Sequence, residues 1–282
     1  MPTHLPAVLV RLSISILSNG RQDPGITAGV KALHQLQGNA GRWTKFKLPD
    51  VALEPIRKAA NRARVTHYET TLPWEEGYGL LPIAARSQYE ARIAEARHDF
   101  DEAVAEFVAE YPNWIKQARL MHGKTFNEAD YPDAAEVASR FAFAFVISPV
   151  PSASHFDGQL RGMYGDALEE ANAQRIEAAV AETWTRLITP IQSMADKLAD
   201  PQAIFRDTLV QNVKDIIALL PALNITGNTA LLAAAAEITA KLGALDADLL
   251  RTNKVERKAV AGKAAALVKR FGALGSTRKF AA

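Results

Sequence analysis

The chain has 282 residues, no cysteine and a net charge of +2. The missing cysteines exclude disulfides, thiolate zinc sites, iron–sulfur clusters and thiol nucleophiles, and 48% hydrophobic with 23% charged residues excludes a disordered chain. The small net charge hides basic ends, +7 over residues 1–64 (10 Lys and Arg against 3 Asp and Glu) and +6 over 246–282 (9 against 3), around an acidic middle, −11 over 65–245 (14 against 25). Such segregation shapes the field that selects partners.

Taken in chain order, Val10, Leu12, Ile14 and Ile16 alternate with Arg11, Ser13 and Ser15, which predicts a half-buried strand over 7–17. Arg11 and the short length exclude a membrane span there, and no signal-peptide cleavage pattern follows. Ser18-Asn19-Gly20 is a turn. Residues 26–37 suit a short helix ending near Gly38, and 43–48 a weak second strand. Asp50 reads as the N-cap of a helix running to His67, with Arg57, Lys58, Arg62 and Arg64 along it. The stretch Thr70 to Pro82, TTLPWEEGYGLLP, breaks that helix; it reads as a rigid elbow in which Pro73 and Pro82 set the corners, Gly77 and Gly79 allow the turn and Trp74 anchors it.

Residues 83–110 form a helix on the spacing of Ile93, Phe100, Val104, Phe107 and Tyr111, ended or kinked by Pro112. After a loop over 122–132 and a short helix over 133–140, Phe141 to Val150 predicts a buried strand, apolar or small on both faces. Pro149, Pro151, Ser152 and Ser154 mark the expected boundary between a mixed domain, 1–155, and an all-helical domain, 156–282. In the latter, Val180, Trp184, Leu187, Ile191, Met194 and Leu198 step by four and three, a coiled-coil-like seam open to either intramolecular or subunit packing, with Pro190 expected to kink it. Further helices are predicted between Pro201 and Pro221, over 229–245 and over 248–271. The fold class is therefore α+β and predominantly helical: a small sheet from 7–17, 43–48 and 141–148 packed with helices, then a bundle of long helices.

Several chemistries fall away. Gly123-Lys124-Thr125 has Ala118 where a phosphate-binding loop needs its first glycine, so it reads as a turn after a helix. No two of His4, His34, His67, His98, His122 and His155 lie three or four residues apart, so no helical metal pair is expected. Glu75 and Glu76 stand beside Trp74 and Tyr78, a setting that can raise a carboxyl pKa, but read more simply as turn residues. No catalytic residue, metal site or cofactor is assigned. The basic ends carry more. Arg251, Lys254, Arg257, Lys258, Lys263, Lys269 and Arg270, with Arg57, Lys58, Arg62 and Arg64, suit phosphate contacts, and Trp43, Phe46, Phe271 and Phe280 suit base stacking. The alternative is a solvated basic surface, or one docked on the acidic middle of a neighbouring subunit.

Asn61 to Pro82, with Arg62, Tyr68, Thr71-Leu72-Pro73-Trp74 and Leu80-Leu81-Pro82, resembles an uncharacterised family of phage and mobile-element proteins. The helix that follows, the Asp130-Tyr131-Pro132 turn and Phe141 to Pro151 are similar too. The resemblance covers residues 5–165 and implies a genetic setting near MoxR-type AAA ATPases, von Willebrand A-domain proteins and DNA recombination functions. Charge layout and resemblance together lead to the expectation of a non-enzymatic, self-assembling accessory protein in the cytoplasm of a bacterial host, contacting single-stranded DNA through its basic ends. The alternatives are an adaptor for an AAA ATPase, bound through the acidic middle helices, and an enzyme whose dispersed His and carboxylates converge.

Overall fold

The computed structural model describes residues 5–75 and 77–275, with side chains to residue 272. The elements in chain order are β1 (Ala7–Ser15), β2 (Gly20–Gln22), α1 (Pro24–Leu33), β3 (Thr44–Phe46), α2 (Glu54–Thr70), β4 (Leu72–Glu75), β5 (Tyr78–Pro82), α3 (Arg86–His122), α4 (Ala134–Ala138), β6 (Ala142–Ser148), α5 (Gly158–Ala199), α6 (Thr208–Leu223), α7 (Thr229–Leu242), α8 (Ala247–Thr252) and α9 (Lys254–Gly275). The α+β, mostly helical class is as expected. Compactness divides the chain into two units, each drawn from separate stretches of sequence. The first takes in Met1–Arg11, His67–Tyr89 and Val146–Ala282, the second Leu12–Thr66 and Glu90–Phe145.

The sheet differs from expectation. Its order is β4-β5-β1-β6, and β3 is not in it; β3 pairs with β2 in a separate two-stranded sheet. The place beside β1 belongs to the expected elbow, which is a β-hairpin. Ala7, Val8, Leu9 and Val10 face Pro82, Leu81, Leu80 and Gly79 in antiparallel register. The punctuating residues fit a hairpin as well as they fit a bend. Pro73 lies in the edge strand β4, where a missing N–H costs no ladder bond, and Gly77 takes a φ of 80°, which favours glycine. The register of β4 on β5 shifts between Pro73 and Glu75. Leu72 and Trp74 are buried while Pro73 and Glu75 are exposed, so one face of β4 enters the core.

In the first unit α5 is the axis, a helix of 42 residues that runs through Pro190. Trp184, Leu187, Ile191, Met194 and Leu198 are buried in one cluster with Val213 and Leu220 of α6, Ile238 of α7 and Val260, Ala264 and Leu267 of α9. Trp184 and Phe271 stack with centroids 6.5 Å apart. Of the two packings left open for the coiled-coil-like seam, Trp184 to Leu198 take the intramolecular one, buried within their own chain.

In the second unit α3, 37 residues counting its first turn, continues through Pro112 instead of ending there. Phe107 packs on Phe141 and Phe100 on Phe143, with centroids 5.4 and 5.5 Å apart. The two-stranded β2–β3 sheet is pinned in the same unit. Lys45 is buried and its Nζ donates to the Thr125 carbonyl at 2.8 Å and to Asp130 Oδ2 at 2.9 Å. Arg21 takes the other oxygen of Asp130 at 2.9 Å. These cations, the Lys45 hydrogen bond first, hold the Asp130 carboxyl below its usual pKa.

Candidate nucleic-acid interface

Most of the basic residues singled out in the sequence are already engaged. On α2, Arg57 faces Asp50 at 3.6 Å, Lys58 pairs with Glu54 at 2.7 Å, and Arg62 pairs with Asp99. Arg64 donates to Asn61 Oδ1 at 3.2 Å and to the Ile14 carbonyl at 3.4 Å. Three of the four thus stand in ion pairs, largely exposed ones, while Arg64 is hydrogen-bonded only to neutral oxygens.

At the other end Arg251, Arg257 and Arg270 hold helices together. Arg251 pairs with Asp207 and, at 2.7 Å, with Asp248; these carboxylates, Asp207 first, raise its pKa further. Arg257 donates to four carbonyls at and beyond the C-terminus of α5: Lys197 at 3.1 Å, Leu198 at 3.4 Å, Asp200 at 2.6 Å and Ala203 at 2.8 Å. A planar guanidinium suits this task, because the last carbonyls of a helix have no intrahelical donor. Both guanidiniums lie 5.3 Å from the centre of the Phe205 ring. Arg270 pairs with Glu237 at 2.8 Å and lies 5.2 Å from the centre of the Phe271 ring.

Lys254, Lys258, Lys263 and Lys269 are different. All four are exposed on α9, and none has an ion-pair partner among the described residues. Val260, Ala264, Leu267 and Phe271 bury the opposite side of the helix in the core. At 3.6 residues per turn, Lys254, Lys258 and Lys269 fall within an arc of about 60° over a rise of about 22 Å, and Lys263 lies on the other flank of the exposed face. Between the flanks stand Ala259, Gly262 and Ala266, together with Val255, 80% exposed, and the paired Arg270. Ammonium groups on such an exposed helix face are within reach of a line of phosphates.

The aromatics divide in the same way. Phe271 is buried, so it cannot stack on a base, whereas Trp43 is 50% and Phe46 55% exposed. Phe280, with Arg278 and Lys279, lies outside the described residues, as do Glu76 and His4. Trp74 is buried, and its ring centre lies 5.5 Å from the Arg175 guanidinium, which also pairs with Glu75 at 3.0 Å. A side chain on Gly79 would collide with Thr71. The elbow residues Pro73, Trp74, Gly77, Gly79 and Pro82 therefore shape a hairpin. His67 is buried with Nδ1 3.0 Å from the Tyr89 hydroxyl, and burial lowers its pKa. Among the described residues no group of three or more His, Asp or Glu is placed to hold a metal ion, and no helix is long and apolar enough to cross a membrane. Comparison with family models, curated proteins and solved structures finds no match to this chain.

Proposed function

We propose that the chain is a non-enzymatic accessory protein of a phage or mobile element that holds nucleic acid by its phosphate backbone in the cytoplasm of a bacterial host. The observation that supports this reading is the exposed face of α9, where Lys254, Lys258 and Lys269 form a row, Lys263 stands on the other flank, and none of the four has an ion-pair partner among the described residues. The remaining arginines of the basic end build the bundle that presents the row. The mobile-element setting rests on the resemblance of the Thr71-Leu72-Pro73-Trp74 and Leu80-Leu81-Pro82 stretch.

The test is binding of a labelled oligonucleotide by fluorescence anisotropy across salt. Four phosphate contacts give a slope of log affinity against log salt of about −2.8 for a single strand and about −3.6 for a duplex. The Lys254→Gln/Lys258→Gln/Lys263→Gln/Lys269→Gln variant is expected to lose most of that slope, and Arg62→Gln to keep it. Salt-insensitive binding, or no binding to either form, overturns the reading.

A second reading, an adaptor for an AAA ATPase, is favoured by the start of α5. Leu160, Met163 and Tyr164 are exposed there among Asp157, Asp166 and Glu170. Exposed apolar residues in a stretch that is acidic on balance, Arg161 included, suit a basic partner surface. A pull-down with a neighbouring ATPase, lost in Met163→Glu/Tyr164→Ala, tests it.

A further inference from the structure

We infer that the two-stranded β2–β3 sheet is a base-stacking platform for single-stranded nucleic acid, with Trp43 and Phe46 as its stacking rings. The inference rests on the nucleic-acid reading of α9 and adds the form of strand that is preferred. Large aromatic side chains half or more exposed need an explanation, and here their backbone is held rigidly. The Trp43 N–H donates to Thr27 Oγ1 at 2.9 Å, and the Trp43 carbonyl accepts from the Asp23 N–H at 3.0 Å. The Phe46 carbonyl lies 2.9 Å from His122 Nε2, and the next carbonyl, of Lys47, accepts from the Tyr131 hydroxyl at 2.7 Å. Beneath the strand the buried Lys45 fixes β3 to Asp130 and Thr125. Phe46 lies across its cross-strand partner Gly20: a Cβ there would stand 3.8 and 3.9 Å from ring atoms Cε1 and Cδ1. Rings on such a support lose little freedom when a base stacks on them.

The stretch of chain that carries the rings has the sign of charge a phosphate strand requires. Residues 20–47 carry five Lys and Arg against one Asp. Arg21 and Lys45 share Asp130. Arg42 and Lys47 have no ion-pair partner among the described residues, and Lys31 donates only to the neutral Gly38 carbonyl. Aromatic rings beside unpaired cations form the arrangement by which proteins hold single strands without reading sequence. A duplex hides its base faces within its own stack, so the rings distinguish the two forms.

The experiment uses the full chain, a labelled oligothymidine and a duplex of equal length. Trp43→Ala/Phe46→Ala is expected to lower single-strand affinity about 25-fold or more, at about 5- to 150-fold per ring, and to leave duplex affinity and its salt slope unchanged. The strand should quench intrinsic fluorescence in the wild type. That quench should vanish in Trp43→Phe, whose affinity stays within a few-fold because the ring is kept. Wild-type binding that the double alanine variant does not weaken overturns the inference and leaves the α9 reading standing; failure to bind either form overturns both. If the double variant instead loses sedimentation with phosphatidylserine vesicles, or loses a self-association seen by light scattering, while single-strand affinity holds, the patch serves another occupant and the inference fails.

Discussion

Gly79→Ala tests the packing that turns the segment after α2 into a strand. Gly79 sits in β5, and a Cβ built there would lie 2.4 Å from Thr71 Oγ1, 2.6 Å from its Cβ and 3.1 Å from its Cγ2, against 3.4–4 Å for an ordinary contact. Thr71 cannot easily yield. It is 3% exposed, its hydroxyl donates to the His67 carbonyl at 2.7 Å, and a β-branched side chain has few rotamers to move into. Overpacking a core costs about 1–3 kcal/mol, occasionally more, and overlap with a Cβ belongs at the top of that range. The expected loss is about 3 kcal/mol, or roughly 6–12 °C in melting temperature. Thr71→Gly removes every atom in the clash, at about 1–2 kcal/mol for the lost hydrogen bond and the added backbone freedom. In that background Gly79→Ala should cost less than about 1 kcal/mol, a coupling of about 2 kcal/mol. Urea unfolding followed by circular dichroism on the four proteins of the cycle measures this. A Gly79→Ala protein within about 0.5 kcal/mol of wild type, or an additive cycle, refutes the close approach.

Burial holds His67 neutral in the native state, while the unfolded chain protonates near 6.5. Stability should therefore fall as pH drops below that value, by at most about 1.4 kcal/mol per pH unit from this group, and His67→Gln should flatten the profile; equal slopes between about pH 6.5 and 5 refute the assignment. Asp130, with its pKa lowered first by the Lys45 hydrogen bond, contributes stability at pH above 3.8 that is lost as pH falls towards the native value. Lys45→Met should cost about 2–3 kcal/mol at neutral pH by leaving that carboxylate short of a partner, and Lys45→Met/Asp130→Leu should recover part of it in the same urea assay. Arg257→Ala should cost about 2–3 kcal/mol because several helix-end carbonyls lose a charged donor. Arg257→Lys should rescue little, since one ammonium cannot span them; full rescue in thermal melts counts against the capping role.

The division of labour within the basic C-terminal end follows from geometry. An arginine in reach of a carboxylate or of helix-end carbonyls makes several directed bonds and stays there, as Arg251 and Arg257 do. A lysine on the outer face of α9 has no such partner among the described residues and keeps its charge available. A phosphate surface of lysines alone binds by charge, tolerates any sequence and responds strongly to salt.

Periodicity was enough to place β1, α3 and α5, because a period of two or of 3.6 is a property of neighbouring residues; β6 is a strand as expected, but it is an edge strand with only Phe143 buried and not the buried strand its apolar composition predicted. The same holds for the apolar seam of α5: its spacing showed that Trp184 to Leu198 would be covered, while only the folded chain showed that α6, α7 and α9 do the covering. Prolines and glycines in 70–82 marked a change of direction, which a bend and a hairpin share. Pairing with Ala7–Val10, more than sixty residues away in sequence, decided for the hairpin. The basic residues make the same point about the candidate interface. Composition singled out eleven of them, but the fold sets several in ion pairs, as with Arg62 and Asp99 or Arg251 and Asp207. Their partners lie 37 and 44 residues away. Charge is written residue by residue, whereas its availability depends on distant neighbours, and so only the tertiary structure could separate the four lysines of α9 that have no ion-pair partner among the described residues from the arginines that hold the bundle together.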